Sequence, residues 1–207
     1  MRLGKCALID KRRNFNPQVI DLFDATLTPR KIMDSGVPVI HLKIGECLFT
    51  REKLLVSTVL GSCVSVTFHH APTGTSAMFH AMLPDVHRIR QTDREVCNFV
   101  DAAIERILRG FERQDVPLRE VVVKLLGGAN SMKSRCALHI AEALDVGRRN
   151  VEQARATLLG SGLSPVSEHI LGAEGRKVLF YTGTGDVWVR SVRAFLHRLE
   201  KRARSAA

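Results

Sequence analysis

From Val37 onward, apolar and polar positions fall into short blocks separated by Gly, Pro, Asp or charged residues, the texture of strands joined by turns. These blocks predict strands at 37–43, 53–59, 63–69 and 76–82. In the third, Val64, Val66 and Phe68 alternate with Cys63, Ser65 and Thr67, the two-residue period of a strand with two distinct faces. Residues 1–35, by contrast, mix charged residues, Pro17 and Pro29 with short apolar clusters and hold no sustained period. They read as an N-terminal extension of unknown role.

The period then changes. Val96, Phe99, Val100, Ala103, Ile104, Ile107, Leu108 and Phe111 recur at three- and four-residue steps, which predicts a helix lying with one face against a sheet. Thr92-Asp93-Arg94-Glu95 offers a capping box ahead of it, and Gly110 comes near its end. Val121 to Leu126 is a β-branched run ending in Gly127-Gly128, a buried strand followed by a tight turn. A second helix is expected from about Asn150 to Leu159, stopped by Gly160 and Gly162. Strands return at 177–182 and 186–192 with a hairpin turn, Thr182-Gly183-Thr184-Gly185-Asp186, between them. The last fifteen residues have the pattern of a basic amphipathic helix. Strands and helices do not alternate regularly and the first four strands read as a meander. The expected class is therefore α+β, with mixed or antiparallel sheets and helices packed outside, rather than a doubly wound parallel sheet. One domain is expected over 36–195, with a basic tail at 196–207.

Composition narrows the functional classes. Hydrophobic residues at 45% and charged residues at 25% describe an ordinary globular protein. No apolar run approaches the roughly 20 residues that cross a bilayer, and Met1 to Lys5 does not open a signal peptide. A cytoplasmic protein without membrane insertion is expected. The five cysteines, Cys6, Cys47, Cys63, Cys97 and Cys136, are odd in number and contain no C-x-x-C pair, which argues for a reducing compartment and against a structural zinc site. The formal charge of +10 favours acidic partners. Nucleic acid is not the expected one: aromatic residues make up only 5%, no stacking motif is present, and much of the charge sits in Lys11-Arg12-Arg13 and in the stretch from Arg190 to Arg204.

Leu60-Gly61-Ser62-Cys63-Val64 sets a cysteine directly after a glycine turn and at the mouth of an apolar strand. Taken alone, such a cysteine reads as a small buried hydrophobe. His80, within Met78-Phe79-His80-Ala81-Met82-Leu83-Pro84, likewise reads alone as a satisfied core residue. The two together mean more. Their strands are joined by a short connection, so antiparallel pairing can bring Cys63 and His80 together, and an imidazole beside a thiol activates it as a nucleophile. Turn N–H groups at Gly61 and Ser62 are placed to hold an oxyanion.

The stretch Ser57-Thr58-Val59-Leu60-Gly61-Ser62-Cys63-Val64, followed seventeen positions after the cysteine by His80-Ala81-Met82-Leu83-Pro84, resembles the signature of the bacterial chemoreceptor glutamine deamidases, the CheD family. The resemblance continues in order through Lys124-Leu125-Leu126-Gly127-Gly128-Ala129-Asn130, Gly147-Arg148-Arg149-Asn150, Gly172 with Gly175-Arg176-Lys177-Val178, and Thr182-Gly183-Thr184-Gly185, covering about residues 37–193. It implies a cysteine-hydrolase-like domain in which Cys63 is the nucleophile and His80 the general base and acid. The family's third catalytic position is a threonine six residues before the cysteine, where this chain has Ser57. Adjacent Thr58 is the alternative, although its side chain points to the opposite face of an extended strand. The implied substrates are glutamines of methyl-accepting chemotaxis receptors, converted to glutamate with release of ammonia, and a CheC-like phosphatase is an implied partner. A binding module that retains these residues but turns over little is the rival reading.

Other chemistries fit less well. His69-His70 replaces an aspartate more usual in the family, but no ligand spacing accompanies the pair, so no metal is expected and the two read as turn residues. Gly127-Gly128-Ala129-Asn130 lacks the pattern of a phosphate loop; its glycines allow close backbone approach, and Asn130 is a candidate contact to a substrate amide. The papain-type cysteine motif is absent, which counts against a protease. No cofactor is required, because nucleophile and acid–base group are both side chains.

Overall fold

The computed structural model describes residues 28–85, 96–130 and 145–193. The expected basic C-terminal helix and the Thr92–Glu95 capping box lie outside the described residues.

The described residues form two sheets and three α-helices in the order α1 (Pro29–Asp34), β1 (Val39–His41), β2 (Cys47–Thr50), β3 (Leu55–Leu60), β4 (Val64–His70), β5 (Thr75–Phe79), α2 (Val100–Glu112), β6 (Val122–Gly127), α3 (Val146–Gly160), β7 (Ser167–Ile170), β8 (Arg176–Tyr181) and β9 (Asp186–Ser191). The first sheet has the strand order β1-β3-β8-β9 and the second the order β2-β5-β4-β6-β7. Both are mixed: β1 with β3 and β6 with β7 are parallel, and the other pairs are antiparallel. This is the α+β arrangement that the irregular strand and helix order predicts.

Three layers result, because β4 and β5 are buried on both faces. Val64, Val66, Phe68, Ala77, Phe79, Val123 and Leu125 form one core with the apolar stripes of α2 and α3. Met78 and Leu126 face the other way and meet Val56, Leu60, Val178 and Phe180 of the first sheet. In α2, Ile104, Ile107 and Phe111 are at most 2% exposed, and burying each such side chain is worth about 1.5–3 kcal/mol.

The expected meander is not formed. β3 pairs with β8 in the first sheet, whereas β4 pairs with β5 and β6 in the second, so Gly61-Ser62-Cys63 is a crossing between layers rather than a hairpin turn. The alternation that marks β3 and β4 as strands says nothing about whether they share a sheet. Two short strands, β2 and β7, carry no clear pattern and were not expected. The stretch read as an extension contains α1, capped by the Thr28 side chain at Lys31 N–H, and it packs against β3 with Ile32 buried.

The helix expected from Val96 begins only at Val100. Residues 96–98 form a tighter turn instead, and Phe99 is extended (φ −107°, ψ 133°). The reason is local: the carbonyl of Asn98 accepts from the N–H groups of Met82 and Leu83, which ties this segment to the chain following His80. The second helix starts four residues before its expected position, at Val146, where Asp145 caps it by accepting from the Arg148 N–H at 3.0 Å.

Candidate active site

The antiparallel register of β4 and β5 places Thr67 opposite Met78 and, through a bridge beyond the strand end, Val64 opposite Ala81. That register sets His80 opposite Ser65, and Cys63 lies directly beyond the last rung. Cys63 and His80 are therefore diagonal neighbours on one face, the face turned toward the first sheet. Cys63 is half-buried against the inter-sheet core and His80 is 3% exposed. The two strands pair as expected, and no hydrogen bond joins the Cys63 thiol to the His80 ring.

The third group comes from the other layer. Along β3, Val56, Thr58 and Leu60 alternate inward, and Thr58 meets His80 across the gap between sheets, with Oγ1 2.9 Å from Nδ1. The same hydroxyl lies 2.8 Å from the carbonyl oxygen of Leu42. A hydroxyl has one hydrogen, and Leu42 can only accept it, so Thr58 must accept from the imidazole. The neutral ring thus carries its hydrogen on Nδ1. Nε2 is left as a buried lone pair with no hydrogen-bond partner among the described residues, available to a thiol proton.

Ser57 does not occupy this position. Strand alternation turns it to the opposite face of β3, where its buried Oγ has no hydrogen-bond partner among the described residues. Of the two adjacent hydroxyls that the sequence offers, Thr58 is the one within hydrogen-bond distance of His80. Strand register, not spacing to Cys63, decides which of them faces inward.

Burial sets the resting protonation. It pushes the Cys63 thiol up, with the residue's own N–H pulling partly in the other direction. It pushes His80 below the ordinary histidine value, while the Leu42 carbonyl and the Glu46 carboxylate partly oppose it. Both shifts favour neutral forms, so the resting pair is thiol and imidazole, and charge separates only when the thiol reacts.

The crossing itself is held from behind. The carbonyls of Gly61 and Cys63 accept from the N–H groups of Ala129 and Gly128, each at 2.8 Å, and the carbonyl of Ser62 accepts from Asn150 Nδ2 at 3.0 Å. No acceptor is assigned among the described residues to the N–H groups of Gly61 and Ser62, and both residues are exposed. The double glycine makes this approach feasible. A Cβ on Gly127 (φ +111°) would lie 2.2 Å from the Cys63 carbonyl oxygen, and one on Gly128 (φ +70°) 2.4 Å from Val151. Asn130 follows and fastens the turn through its N–H to the Gly172 carbonyl at 2.8 Å.

The two histidines after Phe68 belong elsewhere. His69 and His70 are strand residues of β4 rather than turn residues, with Nδ1 atoms 2.8 Å from Ser76 Oγ and Thr73 Oγ1. Among the described residues there is no group of three or more His, Cys, Asp or Glu side chains that could hold a metal ion. No helix among them is long and apolar enough to cross a membrane.

The rim of the site carries exposed apolar side chains: Ile44 (53% exposed), Met82 (41%) and Leu171 (37%). Gly45, next to Ile44, donates to the His80 carbonyl; Met82 directly follows the Val64–Ala81 rung; Leu171 donates to the Gly127 carbonyl from a left-handed conformation, φ +57°. Asn150, fully buried on α3, is the residue that sequence reasoning passed over. It lay within a quoted motif, but only packing shows that it reaches the cysteine crossing.

Comparison with known proteins agrees with the signature in the sequence. Residues 82–191, just over half of the chain, match the model of the family described as CheD chemotactic sensory transduction. A protein of Nitratidesulfovibrio vulgaris named probable chemoreceptor glutamine deamidase CheD is 50% identical over 165 residues, 80% of this chain and 83% of its own. A match of that length in a chain of 207 residues necessarily contains both Cys63 and His80. Proteins with the same name from Oleidesulfovibrio alaskensis and, as CheD 2, from Geobacter sulfurreducens are 45% and 38% identical over 86% and 74% of this chain, and over 84% and 90% of their own. The chain belongs to the CheD family.

Proposed function

We propose that the chain is a protein-glutamine deamidase acting on methyl-accepting chemotaxis receptors in the cytoplasm, with Cys63 as nucleophile, His80 as general base and acid, and Thr58 orienting His80. The observation that carries the residue assignment is the His80 ring, pinned at Nδ1 by Thr58 and unpartnered at Nε2 on the face it shares with Cys63. The relatives' names supply the substrate class.

In this reading His80 Nε2 takes the Cys63 proton as sulfur attacks the side-chain amide carbon of a bound glutamine. The N–H groups of Gly61 and Ser62 hold the oxyanion. The protonated ring then gives its proton to the departing nitrogen, ammonia leaves, and a thioester remains. Water, deprotonated by the same ring, attacks the thioester; sulfur leaves as glutamate forms, and the proton returns to it. Nucleophile, base and water suffice for every step.

The apolar rim of Ile44, Met82 and Leu171 supports a protein substrate, since a free amide needs no such surface. Asn130 beside the glycine turn is assigned to contact the substrate amide. The net charge of +10 suits an acidic partner, and Cys47, Cys63 and Cys97, none of them in a disulfide, suit a reducing compartment. The family resemblance supports a CheC-like phosphatase as a second partner, to be sought by co-purification. The test of the proposal is incubation with a receptor cytoplasmic fragment, reading ammonia release and Gln-to-Glu conversion by peptide mass spectrometry. Tight binding without conversion would favour the binding module, and backbone cleavage a protease.

A further inference from the structure

The β4–β5 ladder stops where the chemistry begins. Val64 and Ala81 exchange both backbone hydrogen bonds, at 2.9 and 3.0 Å, and that rung is the last. Beyond it one chain departs through Cys63 and Ser62 to the first sheet, while the other, past Met82, turns to pair with Asn98. Two carbonyls, those of Ser62 and Met82, are left at the splayed end. Neither has a backbone partner among the described residues.

The Asn150 side chain, 0% exposed, occupies the gap between these two strand ends. Its Nδ2 donates to the Ser62 carbonyl at 3.0 Å and to the Met82 carbonyl at 3.1 Å. The orientation of the amide is determined, because the reverse one would press Oδ1 against two acceptors. As placed, Oδ1 is buried and without a hydrogen-bond partner among the described residues. A buried acceptor left unpaired is disfavoured, so a side chain that only had to fill this space would be better apolar. What Asn provides and an apolar residue cannot is one nitrogen with two hydrogens that joins two strands.

We infer that Asn150 is a positioning residue for the Cys63–His80 pair: its amide replaces the missing rung and fixes the distance between the residue before the nucleophile and the strand that carries the base. This rests on the assignment of Cys63 and His80 above. Asn150 touches neither the substrate nor the reacting atoms. It is well anchored for the task, since α3 is locked onto the glycine turn. A Cβ at Gly147 would lie 2.7 Å from the Gly128 carbonyl oxygen, so glycine at this position is what lets the helix come this close.

The test compares wild type, Asn150→Asp and Asn150→Ala in steady-state ammonia release from a receptor fragment. It also measures the rate of Cys63 alkylation by iodoacetamide, located by peptide mapping. Asn150→Asp keeps the shape and removes the donors; melting curves confirm that each variant is folded at the assay temperature. Because misplacement by about 1 Å can cost on the order of 100-fold, kcat should fall by about 30-fold to 100-fold with KM within about threefold of wild type. Alkylation of Cys63 at neutral pH should slow toward the rate of His80→Ala. A purely structural role would lower the melting temperature while leaving kcat and Cys63 reactivity of the folded protein unchanged, and that result in Asn150→Asp overturns the inference. Cys63→Ala, run alongside, separates the two failures. If it retains turnover the assignment of the nucleophile is wrong; if it is inactive while Asn150→Asp keeps full kcat, only the positioning role is.

Discussion

Thr58 and Ser57 are adjacent, both buried and both hydroxylated, yet strand alternation gives them opposite consequences. Thr58→Val removes one hydroxyl and strands two buried groups, the Leu42 carbonyl and His80 Nδ1–H. It should lower stability by about 1–3 kcal/mol and kcat by about 10-fold to 100-fold, measured by denaturant melts and ammonia release. Ser57→Ala removes a buried hydroxyl that has no partner among the described residues, so activity should stay within about twofold and stability should not fall. Equal losses in the two variants would contradict the geometry. At this scale the sequence was legible in part. A glycine turn, a short connection and a family signature singled out Cys63 and His80 as candidates. The third hydroxyl stayed open between Ser57 and Thr58, because the contact to His80 lies across a gap between sheets that no spacing along one strand encodes. Leu171 adds a test of the rim. Leu171→Asn keeps a residue tolerant of φ +57° while removing the apolar side chain, so KM for a receptor fragment should rise several-fold with no loss of thermal stability.

At the scale of elements, strands with strict alternation and helices with a full apolar stripe were readable, and their ends were not. β4 and α2 are cases in point: the faces were evident, but α2 starts at Val100 because the preceding residues pair with the chain after His80. β2 and β7 escaped notice because each is only four residues long, too short to show a period. The crossing at Gly61 to Cys63 was mistaken for an ordinary turn, since the same residues serve either. What holds that crossing predicts where the fold is intolerant. Gly127→Ala adds a Cβ 2.2 Å from the Cys63 carbonyl oxygen at φ +111°, which a residue with a side chain rarely adopts. Backbone strain of this kind costs about 1–3 kcal/mol before the clash is counted, so the variant should unfold at lower denaturant and lose activity. By contrast Gly36→Ala, at an open position outside the site, should cost only its φ strain and leave kcat unchanged.

Over the whole molecule, two layers of sheet and one of helices bring Cys63 and His80 to a seam where burial favours the neutral form of both. This has a consequence for pH. His80 is held below its ordinary value of 6.5, so the folded state binds fewer protons there than the unfolded chain. Stability from this group is full above about 6.5 and is lost as pH falls toward the lowered value. Cys63 is raised, so its contribution is full below the ordinary thiol value and is lost as pH rises above it. The acid limb of kcat/KM should therefore lie below 6.5, and a limb above it would mean that His80 is charged at rest. The most direct test of the central claim is peptide mass spectrometry of a receptor cytoplasmic fragment incubated with wild type and with Cys63→Ala. Wild type is predicted to convert specific glutamines to glutamate with one ammonia released per conversion, and Cys63→Ala to slow that conversion by at least about a thousandfold while remaining folded. Conversion by Cys63→Ala at a rate near that of wild type would contradict the account.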